Sequence, residues 1–141
     1  MKYFSLDSGL SYTLRFCEPV FYDMTIGKET FELSQDYDTL TKDNFYKLKH
    51  FLLIEEPSKI SCLYLDLDSE ISMKIEDLVN GYLATFDDED DHYEFQIDMA
   101  FFRDYLLMIQ EIENYMKKHT GIAYKSNYDE ISDLLKTISK E

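Results

Sequence analysis

With 141 residues, 45% of them hydrophobic and 16% aromatic, the chain has the length for one domain (residues 1–141) with its own core and too many Tyr and Phe residues for a disordered segment. Fourteen basic residues stand against 29 acidic ones, a net charge of −15. Phosphate backbones and anionic membrane surfaces repel such a chain, so nucleic acid and membrane are excluded as partners and a basic protein is the natural complement.

The first segment, MKYFSLDSGLSYTLRF, has one Lys before Ser5 and polar residues throughout. It lacks the apolar centre of a signal peptide, and no run approaches the roughly 18 apolar residues of a membrane span. The expected location is cytoplasmic. Cys17 and Cys62 form neither a CxxC pair nor a Cys/His metal spacing, so two reduced, buried thiols are expected.

Tyr12, Leu14 and Phe16 alternate with Ser11, Thr13 and Arg15, the period of a half-buried strand. Pro19 interrupts, and residues 19–26 read as a further strand. Gly27 then turns a hairpin whose second strand places Phe31 and Leu33 on one face. With KYFSL at the start, residues 2–34 read as an antiparallel meander.

A helix follows, near residues 42–55. Thr41 is its expected N-cap, Phe45, Leu48, Phe51 and Leu52 share one face, and Pro57 stops the segment. In KISCLYLDLD, Leu63, Leu65 and Leu67 alternate with Tyr64, Asp66 and Asp68, as in a strand. Residues 69–81 fit two patterns. As a helix, Ile71, Ile75, Leu78 and Val79 align and Gly81 closes the end. As a strand, Ile71, Met73 and Ile75 alternate and Asn80-Gly81 signals a hairpin. The strand reading is preferred because YLATF follows at once.

YLATF and HYEFQID flank five consecutive acids, Asp87 to Asp91, which places the acids at a hairpin tip. Asp98 can cap a helix over residues 99–119, striped with Phe102, Tyr105, Leu106, Ile109, Ile112, Glu113 and Met116, the Glu at the stripe's edge. Gly121 ends it. A final amphipathic helix beginning at Asp129 carries Ile131, Leu134, Leu135 and Ile138. The expected fold class is α+β: an antiparallel β-sheet of meander and hairpins packed with two main helices and a short C-terminal helix.

Tests for site chemistry give little. DLDSEISMKIED sets Asp66, Asp68 and Glu70 at the first ligand positions of an EF-hand loop, but Ile71 and Asp77 stand where that loop needs Gly and a bidentate Glu. Neighbouring carboxylates in a turn diverge, so the run beside His92 is expected to hold no metal. His50 on a helix among lysines, His92 beside the acids and His119 at a helix end form no catalytic set, and no nucleophile elbow, P-loop or HExxH is present. The expectation is a non-enzyme without cofactor.

Charge placement is the more informative feature. Between Ile60 and Phe102 lie twelve acids and one base, Lys74. If these strands are neighbours, their solvent-side carboxylates form one negative surface interleaved with Tyr64, Tyr82 and Tyr93, and Tyr suits binding surfaces. The candidate partner-binding residues are Asp66, Asp68, Tyr82, Asp87, Asp88, Glu89, Asp90, Asp91, Tyr93 and Glu94. Solubility and protection of a sheet edge are the bland alternative for the acid run.

A meander, a helix and then YLATFDDEDDHYEFQIDMAFFRDYL, a strand pair running into a long helix, resembles the immunity proteins of bacterial polymorphic and contact-dependent growth inhibition toxins. The likeness extends loosely over residues 1–119 and carries no diagnostic motif. It implies a cytosolic, non-enzymatic protein that binds one cognate toxin domain, often a basic nuclease, and blocks its active site or substrate groove. A nucleic-acid mimic aimed at a DNA-binding protein, or a small housekeeping or enzyme subunit, are the alternatives.

Overall fold

The computed structural model describes residues 2–5, 10–15, 20–26, 29–53, 62–78, 81–88, 91–119 and 127–139, with backbone alone for the first two strands. Two four-stranded antiparallel meanders are separated by a helix and followed by two more. The first sheet runs β1 (Lys2–Ser5), β2 (Leu10–Arg15), β3 (Val20–Ile26) and β4 (Glu29–Gln35), each strand paired to the next. After the helix α1 (Asn44–Leu53), the second sheet runs β5 (Cys62–Asp66), β6 (Ser72–Leu78), β7 (Gly81–Asp88) and β8 (Asp91–Ile97). The helices α2 (Met99–His119) and α3 (Tyr128–Ser139) complete the α+β class that the sequence implies. The strands divide into two sheets instead of one.

Side-chain parity sets the buried faces. Val20, Tyr22, Met24, Phe31 and Leu33 of the first sheet join Leu63, Leu65, Met73, Ile75, Ala84, Phe86 and Ile97 of the second in one buried cluster. Phe31 bridges the sheets, its ring edge-on to Phe86 at 4.7 Å and to Tyr93 at 4.8 Å. Two polar ties lock the same seam. The Tyr22 hydroxyl donates to the Leu67 carbonyl, and the Ser34 N–H donates to Asp68 Oδ2 at 2.8 Å.

Within residues 69–81, Ser72–Leu78 take the strand form. Met73 and Ile75 are fully buried, whereas Ser72 and Asp77 are exposed. The hairpin to β7 closes at the Leu78–Gly81 pair, where Gly81 adopts φ 140°, a backbone conformation that a side chain disfavours. Asn80, Cys17, Gly27, Pro57 and Gly121 lie outside the described residues.

The start of the first helix differs from expectation. The chain turns helical at Tyr37, passes through a π-helical turn over Thr39–Asp43 and continues as α1. Thr41 is therefore no cap. Its side chain is buried, and its hydroxyl donates back to the Tyr37 carbonyl at 2.7 Å. Asp36 takes the capping role instead, with Oδ2 accepting the Thr39 N–H at 3.3 Å. Asn44 then ties α1 to its surroundings: its amide donates to the Asp66 carbonyl at 2.9 Å and its carbonyl oxygen accepts the Asp66 N–H at 3.1 Å. The same amide group reaches the Tyr105 hydroxyl at 3.0 Å.

α2 begins where the capping pattern places it, with Asp98 Oδ1 accepting the Ala100 N–H at 3.0 Å. Phe101, Phe102, Tyr105, Leu106, Ile109 and Ile112 are buried along it. Glu113 is buried too, where the sequence placed it at the edge of the stripe. Its carboxylate meets Lys42 Nζ at 3.4 Å and accepts the Asn127 N–H at 3.3 Å. Asn127, whose side-chain amide donates to the Thr41 carbonyl at 2.6 Å, leads into α3 one residue before Asp129. Among the described residues, no helix is long and apolar enough to cross a membrane.

Candidate functional site

Because the second sheet is antiparallel throughout, the β5–β6 turn and the β7–β8 turn lie at the same end of it. That end gathers Asp66, Asp68, Glu70, Asp87, Asp88 and Asp91 from stretches of chain 20 residues apart, read off the register. Glu89 and Asp90, the connection itself, lie outside the described residues.

These carboxylates fall into two groups. Those on the outer face of the sheet have cationic neighbours: Asp66 with Lys47 at 3.2 Å, and Glu76 with Lys74 at 3.1 Å. Asp87 and Glu94 share His92, whose Nδ1 is 2.7 Å from Asp87 and whose Nε2 is 3.2 Å from Glu94. At the tip the arrangement reverses. Asp88 and Asp91 close the hairpin directly opposite one another. Neither has a cationic neighbour among the described residues, the one contact there being the Tyr93 hydroxyl 3.5 Å from Asp91. Like charges directly opposed across a strand pair destabilise it.

Asp68 does different work. Its carboxylate is committed to the Ser34 N–H and to the Glu70 N–H at 3.3 Å, so it braces the turn against β4.

Parity corrects the expected interleaving of Tyr residues. Tyr82 and Tyr93 share the inner face with Ala84, Phe86 and Phe95. Tyr82 packs edge-on to Phe102 at 4.8 Å, and Tyr93 stacks on Phe86 at 5.5 Å. Both are half-buried packing groups whose faces turn from the outer carboxylates. Of the three, Tyr64 alone stands on the outer face, 51% exposed, opposite Lys74.

His50 is exposed on α1, and Cys62 carries a free thiol that is half-buried where a buried one was expected. Among the described residues, no group of three or more His, Cys, Asp or Glu side chains is placed to hold a metal ion.

The Asp87 hydrogen bond foremost, and then that of Glu94, hold the His92 imidazolium and raise its pKa above 6.5. A raised pKa means that this group's contribution to stability is complete below about 6.5 and fades as pH rises through the higher folded value. An NMR titration of the ring protons is expected to show His92 titrating above the ordinary imidazole value, with Asp87→Asn bringing it back toward that value. An unchanged midpoint in that variant would remove the Asp87–His92 contact from the account.

No protein-family model matches the chain, and no curated protein or solved structure matches it either.

Proposed function

We propose that this chain is an acidic binding protein that neutralises a basic protein domain, in the manner of an immunity protein covering the active site or substrate groove of a cognate toxin. The observation that carries the reading is the Asp88–Asp91 pair at the hairpin tip, which has no cationic neighbour among the described residues. The outer-face carboxylates are matched to Lys47, Lys74 and His92, yet the tip opposes like charges that weaken its own hairpin. Such a cost is recovered when a cationic surface meets the tip.

A nuclease groove offers that surface, because it binds phosphates. Alternate residues of a strand stand roughly 6.5 Å apart, so tip carboxylates reach separate Lys and Arg side chains along the groove. The resemblance to immunity proteins supports a single cognate partner.

The test is calorimetric titration of the purified protein with the C-terminal domain of the polypeptide encoded immediately upstream. A stoichiometric complex that abolishes the domain's activity is expected. Absence of binding at low ionic strength overturns the reading. Equal binding to several unrelated DNA-binding proteins would favour the nucleic-acid mimic.

A further inference from the structure

His92 stands on the outer face of β8, one pair below the hairpin tip, with a carboxylate at each ring nitrogen. Asp87 Oδ1 is 2.7 Å from Nδ1, and Glu94 Oε1 is 3.2 Å from Nε2. A neutral imidazole carries a single N–H and can donate to only one of them. The other contact would then set a ring lone pair against a carboxylate. Both contacts hold together only for the imidazolium, and loss of its proton releases one of the two carboxylates.

The groups around the ring have one sign. Asp87 and Asp88 come from β7, and Asp91 and Glu94 from β8 itself. On β6, Lys74 is separated from Glu94 by Thr85 in the register and is paired with Glu76 at 3.1 Å. Asp66 of β5 is paired with Lys47, and Glu29 of β4 acts on Tyr93, on the opposite face of β8. Among the described residues, His92 is therefore the titratable cation of the tip, and its proton offsets part of the charge of Asp87, Asp88, Asp91 and Glu94. Its side chain is more than half exposed, so the proton exchanges with solvent without rearrangement of the core.

We propose that His92 is a pH-sensitive counter-ion that controls docking of the basic partner: protonated, it holds Asp87 and Glu94 to itself, and neutral, it releases one of them to a cation of the partner. The control rests on the function proposed above; the double contact of the ring does not. The Asp87 and Glu94 hydrogen bonds raise the His92 pKa above 6.5, so docking is weaker below about 6.5 and strengthens as pH rises through the folded value. Linkage works in both directions. Cations bound at the tip lower the affinity of His92 for its proton, and docking near the transition releases that proton.

The probe is acetylated, amidated hexalysine, titrated calorimetrically into the full chain at low ionic strength, at pH 6 and at pH 8.5. Over this range lysine stays charged and the carboxylates stay ionised. The wild type is expected to bind about two- to fivefold more tightly at pH 8.5, the effect of one exposed ion pair. His92→Gln has no proton to lose, and is expected to bind more tightly than the wild type at pH 6 and to lose this pH dependence. His92→Lys keeps its charge throughout and is expected to bind weakly at both pH values. Equal pH dependence in the wild type and His92→Gln, or no binding of hexalysine to any form, overturns the proposal. The two readings fail separately. Binding of the upstream-encoded domain with the same affinity at both pH values leaves the function standing and removes the control by His92. A His92-dependent response to hexalysine without binding of that domain leaves the counter-ion standing and removes the function.

Discussion

Phe102→Ala is expected to lower the stability of the protein by about 3–5 kcal/mol, the range for truncating a buried aromatic ring. Phe102 is fully buried on α2. Its ring meets Tyr82 of β7 at 4.8 Å, Phe51 of α1 at 6.2 Å and the neighbouring Phe101 at 5.8 Å. The cavity left behind would thus open between two helices and a sheet, and rigid elements collapse poorly into such a space. Leu107→Ala on the same helix is the control. Leu107 is 39% exposed, and its truncation should fall within about 0.5–1 kcal/mol. Urea unfolding followed by circular dichroism measures both. A Phe102→Ala loss no larger than that of Leu107→Ala would contradict the placement of α2 over the second sheet.

Joint replacement of Asp87, Asp88, Asp90 and Asp91 by Asn is expected to leave the fold intact and to slow association with the proposed basic partner about 10- to 1,000-fold at low salt. The stability change should be small at the exposed Asp87 and Asp91, and relief of the Asp88–Asp91 opposition acts in the stabilising direction. Loss of the Asp87 contact to His92 acts the other way, and only at pH values where the imidazole is charged. Steering depends on the summed field of the molecule, so a slower on-rate with a nearly unchanged off-rate is the signature of charge at the approach surface.

Much of the fold was legible because it rests on short-range periodicity. The boundaries of α2 follow from the Asp98 cap and the spacing of Phe102, Tyr105, Ile109 and Ile112, and the β7–β8 hairpin from two alternating runs around a charged turn. Thr41 was misread because local capping chemistry cannot see Asn127 and Glu113, which approach from 86 and 71 positions away to the Thr41 carbonyl and to Lys42. The same long-range contacts bury Glu113. Tyr82 was assigned to the acidic surface on proximity in sequence, although its parity with Ala84 and Phe86 already placed it on the apolar face; Tyr93 shares that face, but its hydroxyl still reaches the tip at Asp91. The Asn44 contacts to the Asp66 backbone left no local signal, because they join positions 22 residues apart.

The central claim is that the hairpin tip recognises a basic protein by its charge. Its most direct test is the association rate constant of the upstream-encoded domain, measured by stopped flow from low to physiological ionic strength for the wild type and the Asp87/Asp88/Asp90/Asp91→Asn variant. Wild-type rates are expected to fall steeply with salt as the Debye length contracts to about 8 Å, while the variant starts slower and falls less. Equal rates and equal salt slopes, with the variant folded, would contradict the claim and leave the acids as a solubilising tip.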